Sequence, residues 1–232
     1  MTSNIHGGVV EVFQYVLALG GPVVFILACL SLVALTIIVF KTVELYAVSS
    51  RGRAEAQGAI ELWRSNQRLA ALSALSEPKP GLQRMLNVAM QGRQEYKADS
   101  LLREEMLRLL SDYRERLHAN LRTLDVIGSV SPLLGLFGTV LGMIEAFRQM
   151  EAAGANVDPS VFSGGIWQAL LTTGVGLAVA IPVVLAHQWL ERRAAALSHS
   201  AEDAVTQIFT ADLHIVEPVS EMKANLEQSR AT

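Results

Sequence analysis

Three stretches without a single charged side chain decide what this chain can become: residues 12–40, 126–144 and 159–190 of 232. A helix needs about 20 apolar residues to cross a hydrocarbon core, and every backbone polar group inside lipid must find its partner within the protein. The expected fold is an all-α integral membrane protein with transmembrane helices at 22–40, 125–147 and 164–190. Composition agrees. Hydrophobic residues make up 51% and charged residues 18%, where a soluble domain carries about 25% charged residues.

The charges that exist are unevenly placed. No Lys or Arg precedes Lys41, and 14 of the 19 lie between Lys41 and Arg122. Arg148 stands alone between the second and third spans, and Arg192, Arg193, Lys223 and Arg230 follow the third. The positive-inside rule then predicts an external N-terminus, an external loop over 148–163, and a cytoplasmic long loop and tail. The missing positive n-region and the length of the first run argue against a cleaved signal peptide.

Read in order, residues 1–21 are expected to form an N-terminal segment with an interfacial helix, ended by Gly20-Gly21-Pro22, with a single bent spanning helix as the alternative. The first span, at 22–40, is apolar throughout and reads as a lipid-facing anchor. Residues 41–124 form a cytoplasmic helical region, broken by the Glu77-Pro78-Lys79-Pro80-Gly81 run. A first helix is expected over about 41–76, with interruptions near Gly52 and Gly58, and a second over about 82–94. Trp63 reads as a packing residue, and Cys29 as an apolar filler of the first span. Leu102, Met106, Leu109, Tyr113, Leu117, Leu121 and Leu124 recur every three or four positions. With no Pro or Gly before Gly128, this helix is expected to run unbroken into the second span. Residues 191–232 close the chain as an amphipathic helix, to about 217, and a polar tail.

The second and third spans share an unusual feature. Gly128, Ser131, Gly135, Gly138 with Thr139, Gly142 and Ala146 make one stripe at helical spacing. In the third span Gly165, Ala169, Thr172 with Thr173, Gly176 and Ala180 make another, with Gln168 beside it. Each glycine in a water-soluble helix costs about 1 kcal/mol relative to Ala, whereas membrane helices use small residues for close approach. The plain reading is helix packing; the sharper one is a hydrated path offering the hydroxyls of Thr139, Thr172 and Thr173 and the amide of Gln168. Pro132 and Pro182 each free a carbonyl inside a span, which lipid tolerates only where a partner replaces the lost bond. Asp125 and Glu145 stand about 30 Å apart along a helix, at the two ends rather than the middle. His187 reads as an interfacial histidine.

Catalytic patterns are missing. The sequence holds no nucleophile elbow, phosphate-binding glycine loop, HExxH, or paired Cys or His at metal spacing. No enzyme activity, cofactor or metal is expected. The long loop mixes 14 basic with 10 acidic residues, too balanced for nucleic acid.

SPLLGLFGTVLGMIEAF at 131–147 and GGIWQALLTTGVGLAVAIPVVLAHQ at 164–188 resemble the two motif helices of the ExbB/TolQ/MotA ion-channel family. The first span resembles the ExbB branch. The resemblance implies a homo-oligomer, a pentamer, around a dimer of a single-span ExbD- or TolR-like partner that supplies an essential aspartate. It also implies an inner-membrane location, with the external segments periplasmic, and a TonB- or TolA-like transducer driven by the proton motive force. An ExbB-like role in outer-membrane import is expected first, a TolQ-like envelope role second, and a passive oligomeric scaffold third. A MotA-like stator fits less well, because the family's stator subunits usually have four spans. By resemblance Thr139 and Thr173 match the path-lining threonines, Gly135, Gly138 and Gly142 the motif glycines, and Pro182 the proline of the AIP motif. One position departs: where the ExbB and TolQ branches commonly carry glutamate, this chain has Gln168, which cannot exchange a proton.

Overall fold

The computed structural model describes residues 3–50, 52–95, 99–153 and 159–211. Regular structure among them is helical: α1 (Ser3–Ser50), α2 (Arg53–Arg64), α3 (Arg68–Ala74), α4 (Leu82–Gln94), α5 (Asp99–His118), α6 (Leu121–Ala153) and α7 (Pro159–Thr210). Three helical stretches, 21–64, 100–152 and 163–210, are long and apolar enough to cross a membrane. The chain divides into two compact units, one of residues 1–43 and 119–191, the other of 44–118 with 192 onward.

The first unit holds the apolar helices. α1 breaks at Gly21, whose φ of 66° and ψ of −162° belong to a backbone region essentially restricted to glycine. Pro22 then opens the resumed helix, where its missing N–H costs little. Val23, Val24, Leu27 and Ala34 are buried, while Leu32, Leu35, Val39 and Phe40 are exposed. The outer faces of α6 and α7 repeat this pattern, with Leu133, Leu136, Phe147, Trp167, Leu170, Ile181 and Leu185 each at least half exposed. Such a surface is a liability in water and ordinary against lipid or another helix.

The expected unbroken helix from Asp99 into the second span is not found. α5 ends at His118 and α6 begins at Leu121, with Asn120 between them at φ 65°. Asparagine is one of the few residues that visit the left-handed region readily, so a break needs neither Pro nor Gly. The 41–76 region divides similarly. Gly52 (φ 80°) precedes α2, but the second break falls at Asn66 (φ 61°), and Gly58 lies inside α2.

The second unit has its own core. Ala56, Ala59, Ile60 and Trp63 of α2 meet Met85, Leu86, Ala89 and Met90 of α4, Leu102 and Met106 of α5, and Ala201, Val205 and Ile208 of α7. Trp63 is a packing residue, and its indole Nε1–H donates to the Ile208 carbonyl at 3.2 Å. The end of α7 thus packs with α5; the rest of the expected helix to about 217 and the tail lie outside the described residues. A polar knot ties α2 to the start of α4. The buried Gln83 amide donates to Glu55 Oε2 at 2.6 Å and to the Gly52 carbonyl at 3.1 Å. Its Oε1 accepts from the Lys79 N–H at 2.8 Å, and Lys79 Nζ reaches Glu55 at 3.1 Å.

Candidate functional site

α6 and α7 meet along their small residues, antiparallel and with backbone against backbone. A methyl added at Gly128 would stand 2.7 Å from Val184 Cγ2. At Gly135 it would stand 3.0 Å from the Thr172 carbonyl oxygen and 3.2 Å from Gly176 Cα. At Gly138 it would meet Thr172 Oγ1 at 2.7 Å, and at Gly142 the Ala169 Cβ at 3.1 Å. From the other side, a methyl at Gly176 would lie 2.7 Å from the Ser131 carbonyl oxygen. The series steps down α6 from 128 to 142 while it steps up α7 from 184 to 169. At Gly135 and Gly176 the nearest atoms are backbone, so no larger residue fits there without movement of the helices. Contact this close is how membrane helices gain attraction without a hydrophobic driving force.

The hydroxyls divide between this seam and its edges. Thr172 is buried and donates to the Ala169 carbonyl at 2.7 Å, with Gly135 O at 3.3 Å. The half-buried Thr173 donates to the same Gly135 oxygen at 3.2 Å, using a carbonyl that has two lone pairs. Ser131 is buried and bonds back to Ile127 O at 2.7 Å. Thr139 is partly exposed and bonds to its own helix, at Leu136 O, 2.7 Å. Gly138, rather than Thr139, lies against Thr172. Gln168 is half-buried, and its Nε2 lies 3.6 Å from where a Cβ on Gly21 would stand. The amide is therefore beside the break in α1. Pro132 is half-buried inside α6, and Pro182 is exposed inside α7.

Charge stays away from the seam. Asp125 and Glu145 of α6 are exposed, and neither 126–144 nor 159–190 carries a carboxylate. Among the described residues no group of three His, Cys, Asp or Glu could hold a metal ion. The sequence reading has Thr139 facing the stripe of Gln168, Thr172 and Thr173, and the structure corrects it, since Gly138 takes the place against Thr172. Adjacent residues sit about 100° apart on a helix, so only the partner helix decides which one faces inward.

A profile of the MotA/TolQ/ExbB proton channel family matches residues 78–203, a span that takes in α4, α5, α6 and most of α7. The chain belongs to the MotA/TolQ/ExbB proton channel family. The biopolymer transport protein exbB1 of Vibrio cholerae is 36% identical over 139 residues, 55% of this chain and 61% of the relative. This chain thus spans about three fifths of that relative's length. The Tol-Pal system protein TolQ of Pseudomonas aeruginosa is 41% identical over 88 residues, 36% of each chain. The fold is similar to a chain in the structure of C. jejuni MotAB, with a TM-score of 0.61 at 21% identity, covering 91% of this chain and 89% of that one.

Proposed function

We propose that this chain is an ExbB-like subunit of an inner-membrane motor that uses the proton motive force to drive a TonB-type transducer for outer-membrane import. The observation carrying this reading is the α6–α7 seam itself. The seam and its edges offer hydroxyls and an amide, and neither 126–144 nor 159–190 carries a carboxylate, so this helix pair can hydrate and orient a proton but not hold one. The titrating group must then come from a partner, a single-span ExbD- or TolR-like protein with an aspartate. Around a dimer of that partner, five copies of this chain would form the wall, with Thr139 and Thr173 nearest the path. The unequal charges favour a periplasmic N-terminus and a cytoplasmic C-terminus. Gln168 leaves the wall without a proton carrier where related branches commonly have one, which puts more of the work on the partner.

A TolQ-like role in envelope integrity is the second reading, supported by the similarity to the Pseudomonas TolQ. Copurification with the neighbouring membrane proteins, followed by mass measurement, tests the assembly. A 5:2 complex with a small single-span protein is expected, and a lone monomer would overturn the reading. Thr139→Val and Thr173→Val separate the channel from a passive scaffold. Ion-driven activity should fall at least tenfold with assembly intact, an effect of about 1.4 kcal/mol per tenfold; unchanged activity would favour the scaffold.

A further inference from the structure

The second unit contains a cavity of about 550 Å³ that the channel reading does not use. It is lined by Glu44, Ala47 and Val48 of α1, Gly52 and Arg53 at the start of α2, Lys79 and Pro80 before α4, Leu82 and Gln83 of α4, Tyr113 of α5 and Leu197 of α7. The volume is that of a site for a drug-sized ligand. Its wall is largely apolar, and its polar groups carry both signs: Arg53 and Lys79 against Glu44. Lys79 already meets Glu55, yet its side chain is 52% exposed, and an ammonium has three donors.

Position narrows the occupant. Counted along the continuous helix after Pro22, Glu44, Ala47 and Val48 follow Phe40, the last residue of the apolar run, by four to eight positions. At 1.5 Å per residue that is about 6–12 Å beyond the hydrocarbon edge, a depth that begins within the headgroup layer. We propose that this cavity binds a glycerophospholipid with a primary-amine headgroup, taken from the leaflet into which α1 emerges. The phosphate is held by Arg53 and Lys79, the ammonium faces Glu44, and an acyl chain lies against Val48, Leu82 and Leu197. An anionic glycerol headgroup leaves the carboxylate opposed, and a quaternary amine cannot donate a hydrogen bond to it.

The test is native mass spectrometry of the full-length protein in neutral detergent, titrated with phosphatidylethanolamine, phosphatidylcholine or phosphatidylglycerol. Phosphatidylethanolamine is expected to be retained best, by roughly tenfold, since a hydrogen bond to a charged group contributes on the order of a tenfold change in binding. Arg53→Gln and Glu44→Gln should each remove most of that preference. Val48→Trp, which narrows the cavity and leaves the charges, should lower retention of all three lipids. Arg84→Gln removes a charge from a separate cavity beside Tyr113 and should change nothing. Equal retention of the three lipids, preference for phosphatidylglycerol, or indifference to both Arg53→Gln and Glu44→Gln overturns the proposal. So does displacement of the lipid by equimolar free phosphoethanolamine, because the acyl chains would then contribute nothing.

Discussion

Gly176→Ala is the sharpest perturbation of the α6–α7 seam. The added methyl would lie 2.7 Å from the Ser131 carbonyl oxygen, 3.0 Å from Gly135 Cα and 3.2 Å from Gly135 N. Ordinary contact begins at 3.4 Å, so the closest approach is 3.4 − 2.7 = 0.7 Å too short. All three neighbours are backbone atoms, which cannot rotate away as a side chain can. The helices must separate locally, and overpacking of this kind costs about 1–3 kcal/mol. Separation also stretches the bonds from Thr172 and Thr173 to Gly135 O, now 3.3 and 3.2 Å. Interhelical hydrogen bonds in membranes average about 0.6 kcal/mol, so their loss brings the total to roughly 2–4 kcal/mol. Gly174→Ala is the control. It makes the same change two residues away, with nothing within 4 Å of the new methyl, so the helix-propensity gain of about 1 kcal/mol is common to both. In detergent, the thermal midpoint of Gly176→Ala should fall below that of Gly174→Ala by roughly 5–15 °C, at 2–4 °C per kcal/mol for a chain this size. Equal midpoints would refute the seam. A larger loss in Gly174→Ala would mean that the tight contact lies between copies of the chain.

Two further predictions concern the helices around the apolar spans. Asn120→Ala should destabilise by about 1–2 kcal/mol, the cost of a left-handed residue with a Cβ and no local polar side chain, while Asn120→Gly should be neutral or better; thermal midpoints of the two variants against wild type check this. The Glu55 carboxyl is held below its ordinary 4.5 by the hydrogen bond from Gln83 first and by Lys79 second. A depressed folded value means the contribution is complete at neutral pH and is lost as pH falls through the ordinary carboxylate range and below. Amide exchange over residues 79–83, corrected for its intrinsic pH dependence, should therefore quicken between about pH 5 and pH 3 in wild type, and Glu55→Gln should flatten that response.

The apolar helices were legible because lipid imposes a requirement that composition alone reveals: long charge-free runs have few other uses. The break at Gly21 was legible because Gly-Gly-Pro is strong local punctuation. The break at Asn120 was not, because Leu117, Leu121 and Leu124 keep their period across it and are all buried. A pattern of burial says which residues face inward, not whether the backbone between them stays helical. Gln83 had no signal at all. A glutamine two residues after Pro80-Gly81 is common surface chemistry, and only the fold brings Gly52, Glu55 and Lys79 to its amide.

The candidate site was half legible for a related reason. Spacing finds a stripe of small residues, but a stripe has two edges, and the partner helix chooses what lies at the centre. Here the centre is Gly135, Gly138 and Gly176, and the carbonyl of Gly135 lies within hydrogen-bonding distance of the hydroxyls of Thr172 and Thr173. Thr172, buried and bonded within the seam, contributes cohesion. A hydroxyl that serves an ion must be able to exchange its partner for water. By that criterion Thr139 is the best placed, since it is partly exposed and bonded only within its own helix. Thr173, at the edge of the seam, comes next. On the proposed reading the glycines and the threonines therefore have separable roles. Glycine variants should fail first in stability, and Thr139 variants first in ion-driven activity.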